Sequence, residues 1–149
     1  MIRWLWKCKN CLLSFLRVKT VGARALVIKN HKVLLVKHTY LPGWCTIGGG
    51  VNRRESPLQA VQRELVEEVG IHCAKPPRLF SVYYNVYEKR DDYISFYIVE
   101  HFTQGQRPSS TEIAEVAWFP LKELPADISP STQRRIEEYL EKRPVSDRW

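Results

Sequence analysis

The chain has 149 residues, 44% hydrophobic and 26% charged, with a formal net charge of +7. That length favours one domain that buries a core without metals or disulfides as staples, and the composition excludes disordered and fibrous classes. The basic balance favours phosphate-bearing partners (nucleotides, nucleic acid or anionic lipid) without choosing among them. The four cysteines, Cys8, Cys11, Cys45 and Cys73, are too sparse for a secreted disulfide framework and are expected to be free thiols in a reducing compartment.

Residues 1–19 read as an amphipathic helical extension, and residues 20–149 as the domain. Arg3, Lys7, Asn10, Ser14 and Arg17 recur every three or four positions, opposite Trp4, Leu5, Cys8, Cys11, Leu12, Phe15 and Leu16. Lys7, Lys9 and Asn10 interrupt the stretch, so it is too short to span a bilayer. No small-residue cleavage site follows, so a signal peptide is not expected. Such a stripe alone does not say what it meets: the domain, a partner subunit (a homodimer is then one expected assembly), a membrane surface, or nothing, as a disordered segment. Cys8 and Cys11 form a C-x-x-C pair, but a structural zinc site needs four ligands, and the pair reads as part of the apolar face.

Val21–Lys29 and Val33–Lys37 are predicted strands around a turn at Asn30-His31-Lys32. Leu41-Pro42-Gly43 breaks the pattern. Trp44–Ile47 is a short strand running into Gly48-Gly49-Gly50. A helix then starts at Pro57: Ser56 caps it, and Gln59 completes a capping box. Gly70 ends it, and Leu58, Val61, Leu65 and Val69 form its buried face. Lys75-Pro76-Pro77 reads as a linker. Leu79–Tyr87 and Tyr93–Phe102 are aromatic strands around a polar turn at Glu88–Asp92. Gln104–Thr111 is a loop, Val116–Phe119 a last strand, and Thr132–Lys142 a closing helix with Ile136, Tyr139 and Leu140 inward. Strands with two such helices give an α/β or α+β sandwich.

The chemistry concentrates on the first helix. Glu64, Glu67 and Glu68 stand three and four residues apart, expected on the face opposite the buried one. Like charges at these spacings repel by a few tenths of a kcal/mol per pair. The last turn, where they sit, disfavours anions by about 0.3–1 kcal/mol each. Helix stability alone would place Lys or Arg there, so a cation is expected to compensate. A hard divalent ion with oxygen ligands fits best. A carbonyl of Gly48 or Gly49 can add to the coordination, because glycine lets backbone approach a ligand closely.

Gly49, Glu55, Arg63-Glu64-Leu65, Glu67-Glu68 and Gly70-Ile71 match all nine specified positions of the Nudix box across 23 residues. From Val21 to about Leu140 the chain resembles the Nudix hydrolase family, with Trp44 before the box and Trp118-Phe119-Pro120-Leu121 after it. Two positions depart from the common pattern: Ile47 stands where many members have Pro, and Arg54 where many have Gly. The resemblance implies a Nudix-like α/β/α sandwich with a mixed sheet between helices. It also implies a hydrolase dependent on Mg²⁺ (or Mn²⁺) that cleaves the diphosphate linkage of a nucleoside diphosphate joined to another moiety. A nucleoside triphosphate, nucleotide sugar or dinucleotide would qualify, in a cytoplasmic and, through residues 1–19, membrane-associated setting.

By that resemblance Gly48, Gly49, Glu64, Glu67 and Glu68 hold metal, with Glu67 also able to activate water. Glu55 braces Arg63, and Arg63 orients Glu64 or touches phosphate. Glu112 or Glu115 adds a ligand or general base; Glu112 has the family's spacing to Trp118. Candidate substrate contacts are Trp44, Tyr84 and Arg24, with Lys37, His38, Arg53 and Arg90 as further phosphate-facing cations. Other aromatics (Tyr40, Tyr83, Phe96) are expected mostly in the core. A non-catalytic nucleotide- or RNA-binding module of the same fold is the alternative. The complete box stands against it.

Overall fold

A computed structural model describes residues 18–149. Residues 1–17 of the expected N-terminal helix, with Cys8 and Cys11, lie outside the described residues, and Val18 and Lys19 are not helical. Cys45 and Cys73 are free thiols. Among the described residues are nine strands and two helices: β1 (Thr20–Lys29), β2 (Lys32–His38), β3 (Trp44–Cys45), β4 (Ile47–Gly50), α1 (Pro57–Val69), β5 (Ile71–Cys73), β6 (Arg78–Tyr87), β7 (Arg90–Val99), β8 (Phe102–Gln104), β9 (Ile113–Pro120) and α2 (Pro130–Tyr139).

The main sheet is mixed, in the order β3-β2-β1-β7-β6, with β4 beside β1 and β9 beside β2. Only β1 and β7 run parallel. β1 and β2 join at Asn30-His31, and β6 and β7 at Glu88-Lys89. All four of these residues have positive φ, which suits a two-residue hairpin whose twist matches its strands. Their alternating side chains bury both sheet faces. Ala23, Ala25, Val27, Leu34 and Val36 meet Ala60, Val61, Leu65 and Val69 of α1. Leu26, Ile28, Val33, Leu35 and Phe96 meet Ile136 of α2 on the other face. The result is the expected α/β/α sandwich.

The first helix has the predicted bounds. Ser56 accepts from the Gln59 N–H, Gln59 returns the bond to the Ser56 N–H, and Gly70 closes the helix at φ 68°. The second starts earlier than expected, capped by Ser129 with Pro130 in the first turn. Phe102 does not continue β7; with Gln104 it forms β8, which pairs with β5 in a separate two-stranded sheet. That sheet was invisible locally, because three-residue strands carry no periodicity.

β1 and β2 pair only near their hairpin, at Val27–Lys29 with Lys32–Leu34. Beyond that they fork. Gly22–Ala25 pairs with β4, whereas Val36–Lys37 pairs with β3; β9 runs along the whole of β2 on its other edge. The fork opens a notch in the sheet beside α1, and the glycine strand lines it.

One buried polar cluster was not foreseen. Arg135 and Glu138 of α2 are 0% and 2% exposed. Arg135 donates to Glu138 at 2.9 Å and to the Arg148 carbonyl at 3.1 Å. The Tyr83 hydroxyl donates to the same carboxylate at 2.6 Å, and the guanidinium lies 3.9 Å from the Tyr83 ring centroid. Residues 147–149 run beside β6, with the Tyr84 N–H donating to the Asp147 carbonyl and the Trp149 N–H to the Tyr84 carbonyl. Arg135→Met strands the Glu138 carboxylate in this interior and should lower the unfolding free energy by about 3–5 kcal/mol. Urea denaturation measures it, and Arg135→Met combined with Glu138→Leu should recover most of the loss.

Candidate active site

α1 brings Glu64, Glu67 and Glu68 to the notch, but not all on the outer face. Glu68 lies seven residues after Val61, almost two full turns, so it shares the buried stripe and is only 7% exposed. The expectation of a face opposite the core is thus corrected for Glu68. Its Oε2 accepts from the Gly48 N–H at 3.1 Å. Burial, reinforced by the neighbouring Glu64 charge, pushes its carboxyl up to about 8. Glu64 is also raised by burial, against the pull of Arg63.

Arg63 organises the surroundings. It grips Glu55 through both oxygens, at 2.8 and 3.0 Å. It also donates to Glu64 at 2.6 Å, to Glu67 at 3.2 Å and to the Gly50 carbonyl at 3.1 Å. Glu55 accepts in addition from the Asn52 N–H at 2.8 Å. The Arg63 guanidinium holds the Glu55 carboxyl down at about 2. One side chain therefore ties the loop at 50–55, the helix and two of its carboxylates together. A planar five-donor fork can make these bonds at once, and an ammonium cannot.

The glycines fit for two different reasons. Gly48 has φ 136°, and a Cβ there would run into the Ala23 carbonyl; at Gly49 a Cβ would stand 2.5 Å from Glu64 Oε1. The departure at Arg54 has a physical consequence too. Its φ is 63°, the left-handed region that costs a residue with a Cβ roughly 1–2 kcal/mol.

Several predicted contacts converge here. Arg24 donates to the Thr46 carbonyl at 3.3 Å, and its charge acts on Glu68, His38 and Tyr40. Glu112 adds its charge to Glu64 and Glu68, raising both. Glu115 instead pairs with Lys37 at 3.7 Å. Lys37 is further bound to Asp127 at 2.8 Å and lies over the Trp44 ring.

Others go elsewhere. Trp44 is 6% exposed and packs edge-on against Phe119 in the α2-side core. Tyr84 sits on β6, donating to Asp91 at 2.9 Å, with its ring tilted against Tyr93. Arg53 is exposed, and Arg90 is buried beside Glu88 at 3.4 Å. His38 is 6% exposed, and neither ring nitrogen has a hydrogen-bond partner. Burial and the Arg24 charge lower it to about 4, so it is neutral at pH 7 and is no phosphate-facing cation. The ring of Trp149, which no sequence signal marked, lies 5.9 Å from the Arg24 guanidinium.

Among the described residues no three acidic, histidine or cysteine side chains already converge on one point; Arg63 holds Glu64 and Glu67. The donor set still fits a hard divalent cation. It is all oxygen, partly desolvated, and short of positive charge: Arg63 is already committed to Glu55 and faces the turn's carboxylates with one charge.

Glu55 supplies a pH test. Its carboxyl is depressed from 4.5 to about 2 in the folded chain. Its stabilisation is therefore fully present above about pH 4.5 and fades as pH falls toward 2. Glu55→Gln should lower the melting temperature at pH 7, and the gap to the native chain should narrow steadily from pH 5 to pH 3 in scanning calorimetry.

The NUDIX domain matches residues 18–140. A protein of Bacillus subtilis (strain 168) named "Putative 8-oxo-dGTP diphosphatase" is 30% identical over 122 residues, 80% of this chain and 79% of that protein. One of Lactococcus lactis named "Probable DHNTP pyrophosphohydrolase" is 31% identical over 112 residues, 68% of this chain and 63% of its own length. The crystal structure of a MutT NUDIX hydrolase from Burkholderia pseudomallei superposes with a TM-score of 0.72 at 25% identity, covering 80% of this chain and 97% of that one.

Proposed function

Because the chain belongs to the Nudix family and is a Nudix hydrolase, we propose that it cleaves the diphosphate linkage of a nucleoside diphosphate joined to another moiety, with Mg²⁺ or Mn²⁺ bound. The observation that carries this reading is the carboxylate turn of α1 set against the glycine strand and braced by Arg63. Glu64, Glu67 and Glu68, with a carbonyl of Gly48 or Gly49, would hold the metal. Bound there, the ion would neutralise phosphate charge and make water a better nucleophile.

The chain's own groups have separable tasks. Glu67 has the most exposed carboxylate of the three (58%), which supports giving it the task of taking a proton from the attacking water. Arg63 fixes Glu64, and Glu55 fixes Arg63, as supporting hydrogen bonds do for ligands. Glu112, exposed at the far side of the notch, is the second base or a further ligand. Arg24 supplies positive charge on the substrate side. The relatives' names differ in substrate, yet they favour a nucleoside triphosphate or a similar phosphorylated heterocycle over dinucleotides and nucleotide sugars.

The test is a panel of nucleoside triphosphates, including oxidised purines, with dinucleotides and nucleotide sugars, in Mg²⁺ or Mn²⁺ and then with chelator. Cleavage of at least one diphosphate should require the metal. Glu67→Gln and Glu68→Gln should each cost about 10²–10⁴-fold in kcat. Cleavage of none, or unchanged rates in both variants, would refute the proposal.

Gly49→Ala separates fold from chemistry. The added methyl meets the flexible end of Glu64 rather than backbone, so the melting temperature should stay nearly constant. Displacing that carboxylate should still lower kcat/KM by about 10–100-fold.

A further inference from the structure

α1 covers only part of its sheet face. The register places Val21, Tyr93 and Tyr84 in one row across β1, β7 and β6. Ser95 and Val82 form the next row, Tyr97 and Leu79 another, and Asp91 and Val86 the last. Paired residues share a face, so these rows lie on the side that Ala23, Ala25 and Tyr97 present to α1. Beyond that helix the rows are uncovered: Val21 is 44%, Leu79 53%, Val82 49%, Val86 60% and Tyr93 37% exposed. They include most of the large hydrophobic side chains that stand exposed among the described residues. A contiguous apolar patch of this kind marks a docking surface.

We propose that this face is the seat of the chain's own residues 1–17, bound through Trp4, Leu5, Cys8, Leu12 and Phe15. The chain enters the described domain at the patch: Val21 belongs to the first row, and the Lys19 ammonium lies over the Tyr93 ring at 6.0 Å. The lengths agree. As the helix its sequence pattern predicts, a seventeen-residue segment would reach about 25 Å, and the seven steps from Leu79 to Val86 along β6 cover about 23 Å. The chemistries agree as well. The segment's aromatic and aliphatic stripe meets valine, leucine and tyrosine, while Arg3, Lys7 and Arg17 stay in water. The short link at Val18–Lys19 gives the segment a high effective concentration at this face, ahead of any free partner.

Amide hydrogen exchange in the full chain, followed at residues 1–17, tests this. In the native sequence these amides should exchange at least about tenfold more slowly than in Leu12→Asp, which alters no residue of the described domain. Val82→Asp should release the same amides to the same degree. Equal exchange in the native chain and Leu12→Asp overturns the proposal. So does slowing that appears only with phosphatidylserine vesicles, which assigns the segment to a lipid surface, or only as protein concentration rises, which assigns it to a second copy. Should Val82→Asp unfold the domain, trypsin cleavage after Lys7 and Lys9 in the native chain and Leu12→Asp decides: faster cleavage in Leu12→Asp supports docking, and equal rates overturn it.

Discussion

Three carboxylates in one turn, at the end of a helix whose dipole already repels them, set the constraint around which the site is built. The fold does not relieve it by exposing all three to water. It buries Glu68 against the Gly48 N–H, which leaves that carboxyl raised to about 8. It sets Arg63 between Glu64, Glu67 and Glu55, so the guanidinium satisfies one oxygen of each carboxylate of the turn that it reaches. The positive charge supplied is smaller than the negative charge assembled. That imbalance is what the proposed divalent cation would offset.

The sheet is shaped to the same end. β1 and β2 separate after a short paired stretch, and the strand of glycines fills the gap against β1. A side chain at Gly48 would strike the Ala23 carbonyl, so the pairing of β4 with β1 depends on its absence, and one at Gly49 would displace the Glu64 carboxylate. The β1 prong then brings the Arg24 charge to bear on Glu68, as does Glu112 from the loop before β9. The rest of the fold is insulation and support: α1 covers one face of the sheet, and α2 the other through Ile136 and the buried Arg135–Glu138 pair. A buried pair of this sort adds little net stability over an apolar core, but it tolerates no half-removal.

Much of this was written locally. The helix bounds followed from Ser56, Pro57, Gln59 and Gly70, because capping is a matter of nearest neighbours along the chain. The carboxylate turn, its brace and its glycines followed from fixed spacings, and the Glu55–Arg63 bond forms as those spacings implied. Trp44 and Tyr84 were less legible. An aromatic side chain suits a stacking site and a core equally, and only the packing of β3 on Phe119 and of β6 beside Tyr93 shows where each ring lies. His38 looked like a surface cation. Its neutrality comes from burial and from Arg24 on another strand.

The sequence by itself determined which atoms are available for chemistry: oxygen donors at helical spacing, backbone stripped of side chains, and one guanidinium in register with them. Those choices depend on residues a few positions apart, and a single helix and turn enforce them. The tertiary structure alone decided which carboxylate is buried, that Glu112 rather than Glu115 bears on the turn, and that Arg135, Tyr83 and Trp149 share one interior. Each of those depends on strands and helices far apart in sequence meeting across the sheet, where desolvation and long-range charge act through space and leave no trace in local spacing.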